Sequence, residues 1–215
     1  MEFTHKIAGL PYDGCKMRFV PTPEEAKWAK EQAKNSGGAP LILWVLAGSS
    51  VHKVWPHVDT IVQQVLKVFP NARIAMVGDE RCQKMIEPAW ENEPRVIKKS
   101  GKWSIRDTMA FARECNLVIG PETGVMSAVA MEQMPKIVLL SHSSVENLTR
   151  DWVNTYSLES KETPCRVCHK QIYAWDQCNK DEATGTAHCM AYLHPQQVWT
   201  TILTALEVKL EVANG

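Results

Sequence analysis

Gly120-Pro-Glu-Thr-Gly124 carries the clearest chemistry in the chain. Apolar residues lead into it from Val118, and small and apolar residues continue from Val125 to Met131. The pattern predicts a buried strand, a tight turn and a helix starting at the turn. A helix start offers unpaired N–H groups and the positive end of a dipole, both of which suit a phosphate. Glu122 beside it could accept from a sugar hydroxyl, so the stretch suits a nucleotide or nucleotide-sugar pocket. An ordinary βα turn would fit the same local pattern.

A second polar turn is Ala47-Gly-Ser-Ser-Val-His-Lys53. Ser49 and Ser50 can donate to phosphate oxygens and Lys53 can neutralise them; a polar loop with a solvated lysine is the plainer alternative. The turn lacks the Gly-Lys-Ser/Thr ending of a P-loop and is not Gly-x-Gly-x-x-Gly, which argues against an NTPase and a typical NAD enzyme. A third turn, Gly78-Asp79-Glu80, and His142 in Ser141-His-Ser-Ser144 point to the same side. No Ser-His-Asp order and no His-Glu-x-x-His helix is present, so a catalytic set is not legible.

Cys165-x-x-Cys168, Cys178 and Cys189 form another cluster, with His169 and His188 nearby. In a chain without an evident secretion signal, four clustered cysteines suggest a metal more than disulfides. Zinc held by four thiolates would staple a loop with little core of its own. Reduced, unliganded thiols or a disulfide are the alternatives. Cys15, Cys82 and Cys115 are scattered and read as buried, inert thiols.

The elements that must position these residues follow from pattern. Thr22-Pro-Glu-Glu25 opens a helix running to about Lys34, with Asn35-Ser-Gly-Gly38 as its stop. Leu41 to Ala47 reads as a strand buried on both faces. Val58, Ile61, Val62, Val65, Leu66 and Phe69 share one helical face. Arg73 to Val77 is a strand, Glu80 to about Ala89 a helix, and Arg95 to Lys98 a short strand. Ser104-Ile-Arg-Asp107 is a capping box opening a helix that ends near Glu114. Strands at Leu117–Gly120 and Lys136–Leu140 flank the helix from Thr123. Residues 1–20 show no clear periodicity, and a last helix runs from Pro195 to about Leu210.

Five strands alternating with helices predict an α/β fold, a Rossmann-like doubly wound parallel sheet, followed by a Cys-rich loop and a C-terminal helix. The expected organisation is a linker and leading helix over 1–38, a nucleotide-sugar-binding domain over 39–160, a Cys-rich loop over 161–194, and a helix over 195–215 packing back on the domain. Ligands of such sheets sit at the carboxyl ends of the strands, where the three turns converge.

Composition sets the outer limits. The chain has 215 residues, 45% apolar and 22% charged, with Lys+Arg and Asp+Glu both at 24. That suits one sizeable soluble domain, and no basic run suggests nucleic-acid binding. The longest apolar run, Ala39 to Ala47, is too short to span a bilayer. The first six residues lack the apolar core of a signal peptide, so a cytoplasmic location is expected.

Gly120-Pro-Glu-Thr-Gly-Val-Met126, the Gly48-Ser-Ser-x-x-Lys53-x-Trp-Pro56 loop and the Ser104 to Glu114 helix together resemble family 9 glycosyltransferases, the heptosyltransferase family. The tail Cys165-x-x-Cys168…Cys178…His188-Cys189, followed by Pro195, also recurs there. The likeness spans roughly Ile7 to Leu206. It implies the C-terminal, donor-binding half of a GT-B fold, in which two Rossmann-like domains face across a cleft, with Ile7 to Glu25 as the linker from the other half.

By that resemblance, Ser49, Ser50 and Lys53 would hold the donor diphosphate. Asp79 and Glu80 would lie near the nucleoside, and Glu122, Thr123, Gly124 and Ser127 near the sugar and phosphates. Such enzymes transfer a sugar with inversion from an ADP-heptose-like donor to a lipopolysaccharide-type or other glycan or lipid-linked acceptor, with no cofactor required for transfer. The family more often has Asp at Glu122, and its heptose-transferring members often have His at Ser127. The catalytic base lies in the other half of the family fold, so transfer would need a partner supplying the acceptor domain. The alternative is a non-catalytic nucleotide-sugar-binding or structural protein without that domain.

Overall fold

The computed structural model describes residues 2–12, 16, 18–48, 53–170 and 178–213. Six parallel strands form its sheet: β1 Leu41–Val45, β2 Arg73–Val77, β3 Val96–Lys98, β4 Leu117–Pro121, β5 Lys136–Leu140 and β6 Thr155–Glu159. Their order across the sheet is β3-β2-β1-β4-β5-β6. The chain winds outward from β1 in both directions, as in a Rossmann-like doubly wound sheet. The order reverses between β1 and β4, which are direct neighbours with Leu43 opposite Val118.

The helices are α1 Glu2–Ile7, α2 Pro23–Ser36, α3 Val58–Val68, α4 Glu80–Met85, α5 Ile105–Ala112, α6 Gly124–Ala128, α7 His188–Ala191 and α8 Pro195–Ala213. Alternation along β1 divides the core into two layers. Ile42 and Trp44 point to one face, where Ile61, Val62 and Val65 of α3 and Val198 and Ile202 of α8 cover them. Leu41, Leu43 and Val45 point to the other, under Phe111 of α5 and Val125 and Met126 of α6. Trp28 and Ala33 of α2 complete that layer.

Both expected capping boxes form. Thr22 Oγ1 accepts from Glu25 N while the Glu25 side chain accepts from Thr22 N, and Ser104 and Asp107 do the same on α5. The two helices are tied together where Arg106 donates from Nε and Nη2 to Glu25, at 2.5 and 2.8 Å. The stretch after the first turn is anchored by Trp55, which stacks on Trp44 at 6.1 Å between centroids and donates from Nε1 to Leu193 O at 2.9 Å.

The structure departs from the sequence expectation in several places. The expected helix over Glu80 to Ala89 is α4 followed by a separate 3-10 turn, Glu87–Trp90, because Pro88 has no N–H to continue the ladder. The helix from Thr123 ends at Ala128, well short of Met131. β6 is an additional strand and α1 an additional short helix. Among the described residues no helix is long and apolar enough to cross a membrane.

Candidate functional site

Four strands deliver their carboxyl ends to one region, and the turns after β1, β2 and β4 surround a cleft of about 520 Å³. That volume lies within the range of small-molecule sites. Gly48, Lys53, Gly78, Asp79, Thr123 and Gly124 line it, together with Arg81 and Trp103. The cleft sits at the switch between β1 and β4, where doubly wound sheets take their ligands.

Gly48 and Lys53 are fitted to one another. A Cβ at position 48 would lie 2.6 Å from Lys53 Cδ and 3.2 Å from Thr123 Cγ2. The lysine stem therefore crosses directly over Gly48 beside Thr123, which only a residue without a side chain permits. Burial lowers the Lys53 pKa, and the charge of Glu122 opposes that shift. The ammonium is thus a half-buried cation in a cleft wall, suited to a diphosphate.

Asp79 faces a different task. It caps α4 by accepting from Arg81 N at 3.0 Å and Cys82 N at 3.1 Å, and its other oxygen takes Arg81 Nε at 3.0 Å. Burial pushes its carboxyl up, but the bonds from Cys82 and Arg81 outweigh this and hold it below the usual range. Arg81 is accordingly held at the cleft wall. Trp103 packs against Phe111 and Trp28, at 4.7 and 5.2 Å, with Lys99 Nζ 5.4 Å from its ring centre. With Val45, Val77 and Ile105 it makes the cleft's apolar side.

Glu122 is buried, at 6% exposure, behind the cleft wall. One oxygen accepts from Ser141 N at 3.0 Å and Ser143 N at 3.1 Å; the other accepts from Ser141 Oγ at 2.6 Å. His142 Nε2 lies 3.6 Å from that second oxygen. Burial lowers the His142 pKa, Glu122 counteracts this, and Lys53 and His169 add to the lowering; the imidazole is neutral at pH 7. The carbonyls of the same loop are held from the opposite side. His142 O accepts from His169 N at 2.9 Å, and Ser143 O from Arg166 Nη2 at 2.9 Å. Arg166 is fixed in turn by Glu159 at the end of β6, at 2.5 Å.

Of the residues expected from sequence, Lys53, Asp79, Thr123 and Gly124 therefore meet in one cleft. Ser49 and Ser50 lie outside the described residues. Glu80, Ser127 and Glu122 are not among the cleft's lining residues. Glu80 stands in the first turn of α4, and Ser127 N donates to Thr123 O within α6. Because α6 has only five residues, its dipole is a weak source of phosphate affinity, which leaves Lys53 as the main positive charge from the β1 and β4 turns. Arg81, Trp103 and Arg166 were not legible as site residues: one sits inside a helix, one just before a capping box, and one between two cysteines.

The described cysteines are all free thiols. Cys82 and Cys115 are buried, and burial first of all pushes Cys82 up to about 12, as suits an inert thiol. In the Cys-rich segment, Lys180 bridges Ala187 in antiparallel fashion, flanked by Asp181 N→Thr186 O at 2.9 Å and His188 N→Asn179 O at 3.1 Å. Cys189 lies beyond this bridge in the first turn of α7, so the pairing does not extend to it. Burial and then the charges of Cys178, Cys165 and Cys168, with Glu122, push Cys189 up to about 12. Among the described residues no three His, Cys, Asp or Glu side chains stand in a metal-holding arrangement.

No protein-family model and no curated protein sequence matches the chain. Solved structures do. An ADP-heptose lipopolysaccharide heptosyltransferase II from E. coli superposes with a TM-score of 0.69 at 15% identity, over 94% of this chain and 57% of that one. A family 9 glycosyltransferase from Veillonella parvula gives 0.64 at 16% identity, over 94% and 56%. The E. coli heptosyltransferase WaaC, solved with ADP-2-deoxy-2-fluoro heptose, gives 0.52 at 15% identity, over 74% and 47%. The chain spans about half the length of the structures it matches. The protein thus has a Rossmann-like α/β fold with its cleft at the strand-order switch. More particularly, it is similar in fold to one half of the GT-B heptosyltransferases and family 9 glycosyltransferases.

Proposed function

We propose that this chain is the donor-binding part of a glycosyltransferase and takes a nucleotide-diphosphate sugar, ADP-heptose-like in class, for inverting transfer to a lipopolysaccharide-type or other glycan acceptor. The observation that carries the proposal is the Lys53 stem laid across Gly48 at the switch-point cleft that Lys53 lines. A cation there would meet the diphosphate and stabilise the charge that develops on it as the sugar leaves. The apolar side around Trp103 would take the nucleobase, since an aromatic ring offers a flat apolar contact to another ring. Thr123 and Gly124 would lie along the phosphates, and Ser49, Ser50, Glu80 and Ser127 are kept as donor-side candidates from the resemblance. The acceptor and the base would come from the part of the GT-B fold that this chain does not cover, on the same chain or on a partner. Donor binding tests this. ADP or an ADP-sugar should raise the melting temperature, and Lys53→Ala should abolish the rise; no response to any nucleoside diphosphate would reject the reading.

The cysteines carry a separate structural proposal. The nearness of Cys178, Cys165 and Cys168 to Cys189, all of which act on its thiol, supports a Zn²⁺ ion held by the four cysteines. Binding would convert four thiols to thiolates and release their protons. No cofactor is proposed for transfer itself.

A further inference from the structure

We infer that Glu122 is a positioning residue, which acts on the donor through Lys53 and the Ser141–Ser143 loop rather than by touching the donor sugar. The inference rests on the donor-site reading above. An ionised carboxyl has about four lone-pair directions. In Glu122 three are taken by Ser141 N, Ser141 Oγ and Ser143 N, and the His142 imidazole stands 3.6 Å from the second oxygen. The side chain is buried and absent from the cleft lining. A sugar hydroxyl approaching from the cleft would find three of its acceptor directions filled and the His142 ring beside the fourth.

What the carboxylate does instead follows from where it sits. It is the neighbour of Thr123, whose methyl group flanks the Lys53 stem over Gly48. The charged groups facing that ammonium are Glu122 from the β4 turn, His142 from the β5 loop, and Asp79 and Arg81 across the cleft. Asp79 is paired with Arg81 at 3.0 Å and His142 is neutral, which leaves Glu122 as the anion opposing the burial of Lys53. A buried lysine tends to lose its proton, and a nearby opposite charge restores it. The same carboxylate holds the loop from its N–H side while Arg166 and His169 hold it from the carbonyl side. One residue therefore sets an opposite charge near the cation and holds its surroundings fixed.

The test uses the full chain with ADP and ADP-glucose as probes, measured by calorimetry. Gln at position 122 retains an acceptor for both loop N–H groups and removes the charge. Glu122→Gln should weaken both probes by the same factor, on the order of tenfold for the loss of one neighbouring charge, and should add no loss in a Lys53→Ala background. A loss confined to ADP-glucose would make Glu122 a sugar contact and overturn the inference, as would unchanged affinity. NMR titration of the Lys53 side chain in the ligand-free protein separates the role of Glu122 from donor binding. Its pKa should fall further in Glu122→Gln. An unmoved Lys53 overturns the role of Glu122, whereas a shifted Lys53 in a protein that binds neither probe overturns the donor reading alone. Should Glu122→Gln not fold, Ser141→Ala loosens the loop and keeps the charge. It should weaken both probes equally, and a loss for ADP-glucose alone would again overturn the inference.

Discussion

Replacing Gly48 with Ala should separate ligand grip from stability, and the size of each effect follows from the geometry. The new Cβ would fall 2.6 Å from Lys53 Cδ, an impossible contact, and 3.2 Å from Thr123 Cγ2, a tight one. The first is with a flexible stem, so the lysine swings out of the cleft and the strands stay where they are. Gly48 does not occupy the left-handed region, so Ala fits its backbone. The reduced freedom of the unfolded chain returns ~0.4–1 kcal/mol. Net stability should change by less than ~1 kcal/mol, or roughly 2–4 °C in a chain of this size. Displacing a charge-assisted contact costs about 1.5–3 kcal/mol, which is roughly a 10- to 150-fold loss of ADP affinity. Titration calorimetry with ADP alongside scanning calorimetry reads both quantities. Full affinity with normal melting would refute the placement of Lys53 on the phosphates. A collapse in melting temperature would refute the claim that the clash is relieved by the side chain.

Gly120→Ala should behave in the opposite way: its Cβ would meet Val45 Cβ at 2.6 Å and the Val45 carbonyl oxygen at 2.9 Å. That contact is with the backbone of β1, so thermal denaturation should show a loss of ~1–3 kcal/mol or more. Glu93 is held down to about 2, chiefly by hydrogen bonds from Arg95. A depressed carboxyl contributes stability that is complete above its unfolded value, near ~4.3, and disappears as pH falls through about 2. Glu93→Gln should therefore flatten the loss of stability between those pH values in urea titrations, and an unchanged profile would reject the pairing. Purified protein should contain one Zn²⁺ per chain by elemental analysis, falling away in Cys178→Ser and Cys189→Ser; metal-free protein that neither takes up Zn²⁺ nor changes its melting on adding it would reject the metal proposal.

Much of the sheet was readable because its strands are buried on both faces. Leu41 to Val45 and Lys136 to Leu140 are unbroken apolar or nearly apolar runs with every residue buried. β6 escaped notice because it lies at the edge and buries only Leu158, so Thr155-Tyr-Ser-Leu-Glu159 carries no apolar run. The capping boxes of α2 and α5 were legible as local four-residue patterns. α6 runs only over Gly124–Ala128, although small and apolar residues continue to Met131, so the length of this helix is not legible from residue type. The site followed the same division. Lys53 and the Thr123-Gly124 turn were legible, since each belongs to a glycine-marked turn at a strand end. The engagement of Glu122 by Ser141 and Ser143, and of Ser143 by Arg166, spans 19 to 23 residues of sequence. No local pattern records such pairings, which exist only because β5 and the Cys-rich segment arrive beside β4.

The central claim is that the cleft at the β1–β4 switch takes a nucleoside diphosphate through Lys53. Titration calorimetry of the chain against ADP, UDP, GDP and their sugar conjugates tests it most directly. The account predicts saturable binding of at least one diphosphate, selective among the nucleosides, and abolished by Lys53→Ala in a protein that still melts normally. Absence of heat with every one of them, or binding that Lys53→Ala leaves intact, would contradict it.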